Sequence, residues 1–246
     1  PAGNAEDELP SEATARLRLV FDEGHHLFDA ADSAFAAYLS GREAAELRRW
    51  IRGNDGQRRR RSRGLEDRLS DLVADSDEAL TRLNEAVRLA AALPAAGWLA
   101  RVKEGQAQGA TERFLAALYR QVQARSADGG PFDLECEPQP LLDDLPEAAD
   151  ELKDRLKHLA FTLDELAREL RRQLDDEASD LETQTRIRLD AAARGLERRA
   201  RVTLPAWVSM LEALHNQAPQ EFVDWFTIER QFGQDADVGY RRHWRD

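Results

Sequence analysis

Leu152, Leu156, Leu159, Leu163, Leu166, Leu170 and Leu174 recur at alternating steps of four and three residues, closing on a step of four. Only an α-helix brings such positions to one side, because these steps straddle its 3.6-residue turn whereas a strand alternates every two residues. Asp, Glu, Lys and Arg fill the intervening positions. The apolar stripe is therefore narrow and heptad-like, and the rest of the helix faces water. A helix of this kind is stable only when its seam is covered. A second helical pattern spans 181–201, and Pro205 is expected to open a third carrying Trp207, Met210, Leu211 and Leu214. Short connections between long helices favour antiparallel packing within the chain.

Shorter helical patterns precede this arm at 43–50, 65–73, 77–93 and 111–124, separated by Gly- or Pro-containing breaks. Leu27, Phe28, Ala31, Phe35, Tyr38 and Leu39 also recur at three- and four-residue intervals, so a helix is expected from His26 onward. Three prolines and two glycines make 129–140 a predicted loop. Bulky Phe222, Val223, Trp225, Phe226 and Ile228, followed by Gly233 and Gly239, predict extended or hairpin structure over 222–240. Residues 1–15 show no periodicity and read as a polar lead-in. The expected fold is mainly α: a long antiparallel helical arch-like bundle, with one short strand near the start and a short extended or hairpin segment at the end.

Charge limits what such a body can bind. With 35 basic against 47 acidic residues the net charge is -12, so any contact with nucleic acid must be local. Arg58, Arg59, Arg60, Arg61 and Arg63 form the one dense basic run, suited either to the phosphates of a passing strand or to solvation of a loop, and Trp50 lies just before it. Cys136 is the single cysteine, which excludes an intrachain disulfide and a four-cysteine iron–sulfur cluster within this chain and fits a reducing cytoplasm. No run of about 18 apolar residues and no secretion signal is present. A start at Pro1 and a lone Met210 fit a segment excised from a longer protein. Trp207, Trp225 and Trp244 are assigned to packing, and His158 and His215 to ordinary packed or surface roles.

Leu17, Leu19, Val20 and Phe21 form a brief apolar run that ends at Asp22 and Glu23. This is the pattern of a buried parallel strand whose carboxyl end opens on a ligand crevice. Paired acids there suit nucleotide hydrolysis: Asp22 is the candidate metal ligand and Glu23 the candidate catalytic residue that orients attacking water. A metal site on Asp22, His25, His26 and Asp29 is the competing reading of the same residues. The run Asp22-Glu23-Gly24-His25, with its preceding strand and the following His26-Leu27-Phe28-Asp29-Ala30-Ala31-Asp32, resembles motif II of superfamily 2 helicases of the DinG/XPD-like branch, with Gly24 where Ala is common. The resemblance implies an ATP-dependent DNA helicase in which Asp22 binds Mg²⁺, Glu23 activates water and His25 couples the nucleotide site to neighbouring motifs. It also implies that residues 1–40 belong to the first motor domain, 41–215 to the arch-like helical insertion and 216–246 to the segment returning to the motor.

No Gly-x-x-x-x-Gly-Lys-Thr/Ser phosphate loop occurs in the sequence, so ATP and Mg²⁺ are expected only in an intact parent, and this chain alone is expected to be inactive. Expected partners are single-stranded DNA and the remainder of the motor, with no membrane, and the chain is expected to be monomeric. A reading from a different class is a non-catalytic helical interaction or dimerisation module that uses the leucine seam.

Overall fold

A computed structural model describes residues 36–53, 64–126, 131–176, 181–216 and 220–245. Strand β1 (Ala37–Ser40) leads directly into α1 (Gly41–Arg52), followed by α2 (Leu65–Leu69), α3 (Asp77–Leu89), α4 (Trp98–Lys103) and α5 (Gly109–Arg125). Then come β2 (Leu134–Cys136), α6 (Leu145–Asp176), α7 (Thr183–Arg198), α8 (Leu204–Ala213), β3 (Phe222–Gln231) and β4 (Gln234–Trp244). The fold is mainly α, as its periodicity dictates, with one small antiparallel sheet.

The seam makes α6 the axis of the helical body. Its 32 residues correspond to about 48 Å of helix. Leu152, Leu156, Leu159, Leu163, Leu166 and Leu170 are all buried, and Leu174 is partly buried. Helices α3, α5, α7 and α8 cover the stripe, so it is satisfied within the chain. Charged pairs trace the antiparallel course of the return: Arg171 meets Asp190 at 2.6 Å and Glu197 at 3.0 Å, Arg201 meets Asp164 at 2.6 Å, and Lys157 meets Glu212 at 2.7 Å. Each step back along α6 pairs with a step forward on the returning helix.

Pro205 stands in the first turn of α8, where its sequence signal places it. The chain passes from α7 to α8 through a π-helical segment, Arg199–Thr203, in which the Leu204 N–H donates to the Arg199 carbonyl five residues earlier. Proline has no N–H for the carbonyl four residues back and its ring crowds that carbonyl. A local widening of the helix just before Pro205 accommodates both effects, and prolines and π-bulges are the usual causes of such irregularity.

The sheet has the order β1-β4-β3-β2 with every pairing antiparallel. Phe232 (φ 53°) and Gly233 (φ 76°) form the two-residue turn between β3 and β4. Two successive left-handed residues match the strand twist, which explains a tight hairpin here. Phe226 and Ile228 on β3 and Val238 and Tyr240 on β4 turn one face inward, and Phe226 packs edge-on against Tyr240 at 5.1 Å. Helices α5 and α8 close that side of the molecule, with the Trp207 indole N–H donating to the Tyr38 carbonyl at 2.9 Å.

Three local expectations are corrected. Tyr38 and Leu39 lie in β1, not in a helix, because pairing with the open edge of β4 (Tyr38 opposite Arg241, Leu39 opposite Tyr240) satisfies their backbone groups and buries Leu39. The predicted loop over 129–140 contains β2, held by β3 through Leu134 opposite Ile228. Trp244 is not a packed residue: it is 53% exposed at the end of β4 and meets only the edge of Phe222 among aromatic rings. The predicted strand ending at Asp22 and the helix starting at His26 lie outside the described residues.

Candidate nucleic-acid interface

Trp50 occupies the last turn of α1, two residues before the chain leaves toward the arginine run. Gly53 ends the helix in a positive-φ conformation (78°) and donates its N–H to the Arg49 carbonyl at 2.8 Å. Gly64, where the described chain resumes, lies against it: a Cβ on Gly64 would stand 2.8 Å from the Gly53 nitrogen and 2.6 Å from the Arg52 carbonyl carbon. Only a residue without a side chain permits this approach. Gly53 and Gly64 therefore meet close to Trp50. Arg58, Arg59, Arg60, Arg61 and Arg63 themselves lie outside the described residues, as do Asp22, Glu23 and His25.

Two guanidiniums converge on the Trp50 ring. Arg199, at the start of the π segment, lies 3.7 Å from its centroid, and Arg68 of α2 lies 5.0 Å away. Arg68 donates to the Trp50 carbonyl at 2.7 Å and to the Gly64 carbonyl at 3.1 Å, while Arg199 donates to the Gly195 carbonyl at 2.9 Å. Cation–π contact contributes about 0.5–1 kcal/mol when exposed and about 2 when desolvated. Burial pushes both arginines below the ordinary guanidinium value, and for Arg199 the charges of Arg68 and then Arg198 push further the same way. Both still carry full charge at neutral pH.

A cavity of about 590 Å³ opens between α1 and the π segment. Arg49, Trp50, Arg198, Arg199, Thr203 and Trp207 line it, with Glu43 and Glu46 further along α1. Elsewhere most arginines are tied to acids, as Arg101 is to Glu112 and Arg242 to Asp224. Among the described residues, Arg49, Arg68, Arg198 and Arg199 have no carboxylate within ion-pair distance. Four arginines without a direct carboxylate partner thus gather around Trp50, with Glu43 and Glu46 further along the same cavity.

The sequence singled out Trp50 and the arginine run but missed Arg68, Arg199, Thr203 and the cavity. Arg198-Arg199 was visible as a basic pair on a helix, yet nothing in the spacing joins residue 199 to residue 50. Among the described residues there is no group of three or more His, Cys, Asp or Glu placed to hold a metal ion, and no helix long and apolar enough to cross a membrane. No family model matches the chain, and no curated protein matches it at a significant level.

Proposed function

We propose that this chain is part of a cytoplasmic ATP-dependent DNA helicase of the DinG/XPD-like kind, contributing motif II and a helical insertion that handles single-stranded DNA. Asp22 would hold Mg²⁺ and Glu23 would orient water for ATP hydrolysis, with His25 linking that site to the rest of the motor. The carrying observation joins sequence to topology. Downstream of Asp22-Glu23-Gly24-His25, β1 leads into the helical body at Ser40, and β4, in the segment that follows that body, pairs with β1 so that Gly239 stands opposite Ser40. A body inserted into a host domain needs the chain to enter and leave close together, and here the strand before the helical body and the segment after it share one sheet. The uncompensated arginines around Trp50 supply the local positive field that a strand-handling role requires on a chain of net charge -12.

The test belongs to the intact parent enzyme. Glu23→Gln is expected to abolish ATP hydrolysis while sparing nucleotide binding, measured by phosphate release and by a nucleotide titration. Turnover retained by that variant would sink the reading.

A further inference from the structure

We propose that the cavity between α1 and the π segment is a phosphate-binding site for the backbone of single-stranded DNA, with Arg198 and Arg199 as its contacts and Trp50 as the platform that holds Arg199. The proposal deepens the strand-handling reading and rests on it.

Three observations carry it. Arg199 is stacked 3.7 Å from the Trp50 centroid and uses one nitrogen on the Gly195 carbonyl, which fixes its plane and leaves other N–H groups of the fork without an acceptor among the described residues. A guanidinium held in this way loses little further freedom on gripping a phosphate. The stacked arginine stands on the π segment, an irregularity that recurs at functional sites and here sets Arg199 and Thr203 on the same cavity. Finally, Arg68 and Arg198 crowd Arg199 with like charge, and none of the three has a carboxylate within ion-pair distance among the described residues, an arrangement that a bound anion relieves.

Glu43 and Glu46 determine where in the cavity an anion sits. They stand about two turns and one turn before Trp50 on α1, so acidic and basic ends are separated along the helix. The phosphate is thereby directed to the Trp50 end of α1, where Arg198 and Arg199 line the cavity. About 590 Å³ is room for a nucleotide-sized unit, which favours a single strand over a duplex.

The experiment is a titration of the 246-residue chain with a fluorescently labelled oligothymidylate across a series of salt concentrations. Arg199→Gln and the exposed Arg198→Gln are each expected to weaken binding several-fold and to flatten the log–log salt slope by about 0.7, the value for one single-strand phosphate contact. Arg199→Lys should retain the slope. Arg113→Gln, which removes a residue already paired with Glu151, should behave as wild type. Thermal unfolding of each variant separates loss of contact from loss of fold, and Arg198→Gln answers the question even if Arg199→Gln unfolds.

Unchanged slopes in both glutamine variants overturn the site. They do so even if inorganic phosphate raises the melting temperature, because the cavity would then take free phosphate and not a strand. If replacing Arg58, Arg59, Arg60, Arg61 and Arg63 weakens binding while Arg198→Gln and Arg199→Gln do not, this site falls and the strand-handling reading stands. No binding by the wild-type chain overturns both.

Discussion

Asp224 and Arg242 face each other across β3 and β4 with almost no exposed surface, 6% and 5% of their side chains. The guanidinium grips the carboxylate with two bonds of 2.7 Å, Tyr240 donates to the same carboxylate at 2.6 Å, and Arg242 reaches Ser209 on α8 at 3.2 Å. Such a pair adds little net stability against an apolar replacement, but removing one partner strands a buried charge. Asp224→Ala is therefore expected to cost about 3–5 kcal/mol by urea denaturation, and Asp224→Ala with Arg242→Met to recover part of that loss. A single-variant cost below about 1 kcal/mol would mean that the pair is not desolvated. Neither residue stands out in the sequence, where a strand of mixed polarity hides which charges turn inward. The same holds at Trp50, legible as an aromatic beside a basic run but not as the ring beneath Arg199.

Among the elements, α6 was the most legible, since its stripe needs no partner to be recognised. Its packing makes a quantitative expectation possible. Leu163 is fully buried, so Leu163→Ala removes apolar contact and leaves a cavity, for an expected loss of about 2–5 kcal/mol in chemical denaturation. Sedimentation of the folded variant should match wild type, because the seam is covered by helices of the same chain; a shift in oligomeric state would return the seam to an intermolecular role. The start of α8 at Pro205 was legible, but the π-helical link that joins it to α7 was not, because that link follows from the packing of α7, the π segment and α8 on α6. Strand β1 shows the same competition. Tyr38 and Leu39 fit a helical period, and the open edge of β4 decided otherwise.

Across the whole molecule, ion pairs line the helical surfaces and set the response to acid. Asp190 is held at about 2 by Arg194 and then Arg171, and Asp71, Asp150, Glu169 and Glu197 are held below the ordinary carboxylate range by Arg188, Lys153, Arg172 and Arg171 respectively. A depressed carboxylate contributes stability that is present above its unfolded value and lost as pH falls through its folded value. Thermal unfolding followed by circular dichroism should therefore show stability falling between about pH 4 and pH 2. Asp190→Asn should make that fall shallower. An identical acid profile for the variant would remove Asp190 from the account.

Read alone, the sequence shows that this chain is mainly helical, that its longest helix carries one narrow apolar seam and that its last segment is extended or a hairpin. All three follow from local periodicity and turn chemistry. Only long-range contacts decided that β1 is a strand, that Arg199 crosses to Trp50, and that Ser40 before the helical body lies opposite Gly239 in the segment after it. Those outcomes depend on contacts between residues some 150 to 200 positions apart, and neither the spacing nor the composition of either partner carries the information that joins them.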